Sequence, residues 1–248
     1  MKYLFLFILS LYLVSASEAD IEFSNANNLY KSGNFAEAID SYIKIKDNGY
    51  QSPELYYNLA NSYYKLDEIG LSILYYEKAL KIHPNDEDIL FNLNIAKLKT
   101  VDKIDNLPEI FIVKYWKQLV NTATSNTWSY ISITIFFIFI ISIAIFIFSN
   151  SSFYKKLFFA AGLVLLITSV LLSVASFQKL QIERDENSAI IVSPSVYVKS
   201  APSESSTDLL ILHEGTKINI TTKDGEWRKF SLSDGTEGWV KASYIAII

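Results

Sequence analysis

Between Lys117 and Lys155 the chain carries no charged residue, and after Lys156 a further 22 residues, Leu157 to Gln178, are uncharged. At 1.5 Å per residue, about twenty helical residues span the ~30 Å of bilayer hydrocarbon. Core helices of soluble proteins keep a polar stripe, whereas Ile131 to Phe148 is almost purely Ile, Phe, Ala and Ser. The pattern predicts two transmembrane helices, 129–148 and 157–178, joined by a cytoplasmic loop at 149–156. Trp128 and Tyr130 sit where an aromatic belt would anchor the first helix.

The N-terminus has a different signature. Met1 and Lys2 precede an apolar run, Tyr3 to Val14, broken only by Ser10 and followed by the small residues Ser15, Ala16 and Ser17. That order predicts a secretory signal peptide over 1–17, too short to cross a bilayer. Residues 18–117 hold 11 basic and 16 acidic groups and residues 179–248 hold 8 and 10, while the loop between the spans holds only Lys155 and Lys156. Positive charge in a short loop favours the cytoplasmic side. The expectation is therefore an inner-membrane protein with both larger segments facing the periplasm.

Residues 20–100 repeat at an offset of 34. Leu29 matches Tyr63, Ala38 matches Ser72 and Tyr42 matches Tyr76. The second copy reads Tyr56, Leu59, Ala60, Tyr63, then Ser72, Tyr76, Ala79, Pro84, which is the tetratricopeptide spacing. Small residues let paired helices approach closely, and aromatics fill the space between. Gly33 marks the inter-helix turn in the first copy, where the second has Asp67 and Glu68. The first copy departs from the pattern at Tyr50, where Pro is usual, and at Glu22, where an aromatic is expected. Leu90, Phe91 and Leu93 begin a third helix that stops, as a capping helix does. Residues 19–106 thus read as two repeats plus a cap.

One side of each first helix carries Phe23, Asn27, Tyr30 and Lys31, then Tyr57, Asn61, Tyr64 and Lys65. Asn can pair with an extended backbone and Tyr offers flat apolar area, so these are the candidate partner-binding residues. They are equally the consensus positions of any short solenoid. Residues 107–128 mix Ile110, Phe111, Val113, Tyr115, Trp116, Leu119 and Val120 with two lysines, and read either as a linker helix packed on the repeats or as an interfacial amphipathic helix.

After Asn187 the pattern changes to β-branched alternation punctuated by Asp-Gly turns. Strands are expected at 189–192, 196–199, 217–222, 227–232 and 238–240. Val196-x-Val-Lys-Ser, His213-Glu-Gly-Thr-Lys217, Trp227-x-Lys-Phe and Gly238-Trp-Val240 occur in the order of the bacterial SH3-like domain, which this segment, 187–248, resembles. It departs at Ala201, where Gly is frequent. The resemblance implies a small barrel, often one that binds cell-wall peptides on an aromatic face. Tyr197, Trp227 and Trp239 are the candidate face. The competing reading makes the tryptophans sheet-packing residues, with Trp239 in the core, and His213 a solvated turn residue.

The chain has no cysteine and only two histidines, His83 and His213. Disulfides, thiolate metal sites and a cysteine nucleophile are excluded, and neither histidine lies in a nucleophile motif. No phosphate loop or dinucleotide turn is present, so no enzyme activity, cofactor or metal is expected. A formal net charge of −4 without a basic stripe argues against nucleic acid.

The whole order, together with Glu54-Leu-Tyr-Tyr-Asn-Leu-Ala-Asn-Ser-Tyr-Tyr-Lys-Leu66, Tyr75-Tyr-Glu-Lys-Ala-Leu80, Pro84-Asn-Asp-Glu-Asp-Ile89 and Leu212-His-Glu-Gly-Thr-Lys217, resembles the BatE family, the tetratricopeptide membrane proteins of the Bacteroidetes aerotolerance operon. The expected fold class is a multi-domain α + β membrane protein: a short α-solenoid, a two-helix transmembrane hairpin and a C-terminal SH3-like β-barrel. The resemblance implies a non-enzymatic membrane adaptor whose partners are von Willebrand A-domain membrane proteins of the same operon. The alternative is a cell-wall anchor in which the SH3-like domain grips peptidoglycan.

Overall fold

The computed structural model describes residues 19–104 and 110–248. The signal peptide expected over 1–17 lies outside them. The chain forms two units, one from the N-terminal helices together with the C-terminal β region, the other from the segment between.

In the first unit, α1 (residues 19–31), α2 (Phe35–Asp47), α3 (Pro53–Lys65), α4 (Ile69–Ile82) and α5 (Glu87–Leu98) form the repeat region. Local sequence sets their ends. Ser52 accepts the Leu55 N–H at 3.1 Å, with Pro53 in the first turn, and Asp86 accepts from the Asp88 and Ile89 amides. Gly33 and Asp67 occupy equivalent turns and both adopt positive φ, 84° and 63°. Asp is one of the few non-glycine residues that tolerate it. The helix core contains Ala26, Ala38, Tyr42, Leu59, Ala60, Ile73, Tyr76 and Ala79. The alanines fall where helices cross and the tyrosines fill the gaps, as the 34-residue period requires.

The C-terminal region is a seven-stranded antiparallel sheet: β1 (Ser188–Ile191), β2 (Ser195–Lys199), β3 (Asp208–His213), β4 (Lys217–Asp224), β5 (Trp227–Ser231), β6 (Glu237–Lys241) and β7 (Ile245–Ile247), in the order β3-β2-β6-β5-β4-β1-β7. One core takes Val196 and Leu212 from one end of that order and Ala189 and Ile191 from the other, so the sheet rolls around a single centre. Two strands, β3 and β7, go beyond those expected from sequence. β3 carries the unbroken run Leu209-Leu-Ile-Leu212, which hides its alternation. Gly238 explains its motif: a Cβ there would lie 2.1 Å from Val198 Cγ1, so only glycine lets β2 and β6 close.

Trp239 departs from its expected place in the core. Phe230 and Val240 fill that core completely buried, while Trp239 and Trp227 alternate to the outer face and are half-buried. The side-chain period of two decides this: with Gly238 and Val240 inward, Trp239 must point out.

The second unit contains α6 (Phe111–Val120), α7 (Ser125–Phe148) and α8 (Ser152–Arg184). α7 and α8 are long and apolar enough to cross a membrane, the most apolar 18-residue stretch of each reaching a mean hydropathy of 3.0 and 2.6. Only residues 149–151 connect them, and Lys155 and Lys156 lie in the first turns of α8. The two helices pack through small polar residues. Ser129 bonds Ser176 at 2.7 Å, Ser132 bonds Ser173 at 2.8 Å and the Ser169 carbonyl at 2.9 Å, and the Ser142 hydroxyl donates to the Phe158 carbonyl. Gly162 lies 3.6 Å from the Ser142 hydroxyl at the same seam. Hydroxyls facing one another satisfy themselves without water, which is how polar groups survive in an apolar setting.

Candidate functional site

Three surfaces carry chemistry. The first is the inner face of the repeats. Tyr42 Oη donates to Asn27 Oδ1 at 2.6 Å, and Tyr76 Oη donates to Asn61 Oδ1 at 2.5 Å. Phe23 packs on Tyr42 at 5.9 Å and Tyr57 packs on Tyr76 at 6.0 Å, with interplanar angles of 56° and 55°. These are the same contacts one repeat apart. Burial pushes the Tyr42 hydroxyl pKa up to about 12, helped by Tyr30, and raises that of Tyr76, so both stay donors.

Asn27 and Asn61 therefore serve the solenoid: each orients a core tyrosine, and Asn27 also accepts from Asn58 Nδ2 at 2.9 Å. These internal bonds use the Oδ1 atoms of the two side chains expected to pair with a peptide. Tyr30 stacks edge-on against Phe35 at 5.3 Å and Tyr64 lies under Lys99 Nζ at 4.6 Å, leaving Tyr30 and Tyr64 half-buried and Lys31 and Lys65 exposed on the same side. Phe23 and Tyr57 are half-buried. Three further residues belong here. Phe91, 65% exposed, Asn92, which donates to Tyr57 Oη at 2.7 Å, and Lys99 all lie on α5 or at its end. The 34-residue offset reaches them, since Tyr57, Asn58 and Lys65 stand one period before.

The second surface is the outer face of β3-β2-β6-β5. Trp239 is flanked across the strands by Lys199 and Lys229, and Trp227 pairs with Lys241, whose ammonium sits 5.7 Å from its ring. Tyr197, 59% exposed, faces out opposite Ile211. Each lysine has an acidic partner: Lys199 with Asp208, Lys229 with Glu237, Lys241 with Glu204. Tyr197, Trp227 and Trp239 thus lie on one face, an aromatic surface edged by ion pairs.

The third has no periodic signature in the sequence. All five residues of His213-Glu-Gly-Thr-Lys217 engage the repeat region. Asp102, just past α5, accepts from the His213 backbone N–H at 2.7 Å and from the Thr216 hydroxyl at 2.6 Å, and bonds His213 Nδ1 at 2.9 Å. His213 is thus a docked residue, not a solvated one. Glu214 Oε2 accepts the Gly70 N–H at 2.9 Å. Gly215, at φ +84°, lies where a Cβ would meet Thr100 and Ile73 at 2.7 and 2.8 Å. Lys217 and Lys97 converge on Glu77 at 2.7 and 2.8 Å. Burial alone would raise the Glu77 carboxyl pKa, but the two ammoniums outweigh it and hold it below the usual range. Asp102 is held low in the same sense, by the Thr216 and His213 hydrogen bonds against a desolvation that opposes them.

Apolar contacts complete the joint. Ile190 joins the repeat core, with Ala246 and Ile248 packed against it. β1 is buried on both faces as a result, which accounts for its Ala-Ile-Ile run.

Comparison with known proteins identifies both halves of this body. Residues 53–86 match the tetratricopeptide repeat family, and residues 194–246 match the bacterial SH3 domain family. The chain is also 29% identical over 107 residues to a tetratricopeptide repeat-containing protein of Methanocaldococcus jannaschii, a stretch covering 42% of this chain and 19% of that relative. The chain thus spans about a fifth of the length of the curated relative it matches. A tetratricopeptide repeat and a bacterial SH3 domain are present in one chain, docked on each other through residues 213–217.

Proposed function

We propose that the chain is a non-enzymatic, membrane-anchored adaptor that presents a repeat groove and an SH3 face to partner proteins as one rigid body. The observation carrying this reading is the 213–217 lock. A hinged pair of modules would search for partners independently, whereas a docked pair offers a single composite surface. Following the resemblance to BatE, the assembly is an aerotolerance-type membrane complex, and the partners are von Willebrand A-domain membrane proteins.

The same lock supports the topology. Residues 102 and 213 are bonded within one folded body, so both lie on one side of any membrane. The chain between them must then cross an even number of times, which two spans satisfy. With Lys155 and Lys156 cytoplasmic, the body faces the periplasm of the inner membrane. The native chain has no cysteine, so single labels are clean. Asn34→Cys and Ser205→Cys should react with an impermeant thiol reagent in the periplasm, and Asn150→Cys only after the inner membrane is broken. Labelling at 34 without 205 would end the hairpin reading.

The decisive experiment on function is crosslinking of the intact protein in membranes followed by identification of what it carries. Recovery of von Willebrand A-domain proteins, lost on Lys31→Glu/Lys65→Glu/Lys99→Glu, supports the adaptor. The exposed aromatic face favours a second reading, peptidoglycan binding. Cosedimentation of intact protein with purified cell wall, abolished by Trp239→Ala but not by the lysine changes, would establish it instead.

A further inference from the structure

α6 has three faces. Val120 and Trp116 pack with Ala175 and Leu172 of α8 and Trp128 of α7. Lys114, Lys117, Gln118 and Asn121 carry the polar side. Phe111, Ile112, Tyr115 and Leu119 form a third face, apolar and 43–68% exposed. Four large apolar side chains on ten residues, left exposed among the described residues, call for a covering partner.

The depth of α6 says what that partner is. Trp128 Nε1 donates to the Val120 carbonyl at 3.0 Å, Trp116 Nε1 to Gln178 Oε1 at 2.6 Å, and Lys179 Nζ to Asn121 Oδ1 at 3.1 Å. Ser125 closes the corner, donating its backbone N–H to Glu183 Oε1 at 3.0 Å. The fixed points on α8 are Leu172, Ala175, Gln178, Lys179 and Glu183, so they run from the last two turns of the uncharged stretch into the first charged turns. α6 is therefore pinned where hydrocarbon gives way to headgroups. α7 and α8 expose apolar side chains of their own, among them Ile133, Phe137, Val170 and Phe177.

We infer that α6 is an in-plane anchor: its Phe111, Ile112, Tyr115 and Leu119 face is embedded at the headgroup–acyl boundary, with Lys114 and Lys117 directed to lipid phosphates. A helix with one apolar face and lysines beside it suits that boundary. The anchor rests on the hairpin crossing the membrane, and goes beyond it by fixing the first span's entry angle through a second contact with lipid.

The test uses the full chain in phosphatidylethanolamine/phosphatidylglycerol vesicles. Nitroxides are placed singly at Ile112→Cys, Tyr115→Cys, Leu119→Cys, Lys114→Cys and Gln118→Cys, with Phe137→Cys on α7 as the reference for lipid. These positions are exposed, so labelling leaves packing intact. Collision with oxygen, which partitions into lipid, should approach the Phe137 level at 112, 115 and 119. Collision with a water-soluble nickel complex should dominate at 114 and 118. Nickel access at all five sites would overturn the anchor, placing α6 in water. Protection of 112, 115 and 119 from both reagents would overturn it differently, in favour of a protein covering that face. Nickel access at Phe137 would remove the hairpin itself, and the anchor with it.

Discussion

Glu214 accepts a hydrogen bond from the Gly70 backbone N–H at 2.9 Å, so a residue of the β3–β4 turn caps a helix 144 positions earlier. α4 needs that cap. Its N-cap residue, Glu68, makes no side-chain cap bond, and its first turn holds no acidic residue. An incoming carboxylate satisfies an unpaired amide and meets the positive end of the helix dipole. Glu214→Ala should cost about 1 kcal/mol, roughly a fivefold change in an opening equilibrium. Hydrogen exchange at the Ile69, Gly70 and Leu71 amides of the full protein should accelerate accordingly, and Glu214→Gln, which keeps an acceptor, should do so less. Unchanged exchange in Glu214→Ala would show that the two domains are not joined here.

Phe230 and Trp239 should separate fold from surface. Phe230 is fully buried at the sheet's centre, so Phe230→Ala should destabilise the β region by about 3–5 kcal/mol. Trp239 lies on the outer face, and Trp239→Ala should leave the near-ultraviolet signal of the core and the thermal midpoint nearly unchanged. A large drop in midpoint for Trp239→Ala would return that side chain to the core.

Gly238→Ala should be damaging for a reason that a second change can relieve. The new methyl would overlap Val198 Cγ1, and overpacking of this kind costs about 1–3 kcal/mol. Val198→Ala removes the obstructing carbon, so the double variant should melt higher than Gly238→Ala alone despite carrying two core changes. Additive losses would mean the clash is not the cause.

The parts that sequence made legible are those with a local rule. The 34-residue period located the repeats, the absence of charge located the two long apolar helices, and Gly238-Trp-Val240 located the SH3 region. The Asn27–Tyr42 and Asn61–Tyr76 bonds were also within reach, because the same 15-residue offset occurs in both copies. The lock was not. Asp102 pairs with residues 111 and 114 positions away, and nothing periodic marks such a contact. His213 to Lys217 looks like a solvated hairpin approach until the helices are beside it. β3 is hidden in the sequence because its outward positions, Leu209 and Ile211, are apolar, which erases the alternation that identifies a half-buried strand.

The lock should yield to acid, and in one direction only. Glu77 and Asp102 both have carboxyl pKa values held below the ordinary range, Glu77 by Lys217 and Lys97 against the desolvation of a side chain only 10% exposed, Asp102 by Thr216 and His213 against its own burial. A depressed folded pKa contributes stability that is fully present above the unfolded pKa, about 4, and is lost as pH falls through the lower folded value. The contribution of these two carboxylates to docking should therefore be constant from neutrality to about pH 5 and should weaken only below the normal carboxylate range. Spin labels at Asn34→Cys and Ser205→Cys, both exposed and one on each domain, report it as an interdomain distance distribution. A second, longer population should grow as the pH is lowered further. In Glu77→Gln/Asp102→Asn the longer population should already exist at neutral pH and change little on acidification. A joint that opens on raising the pH, or one whose acid response survives in the double variant, would show that these two carboxylates do not hold it.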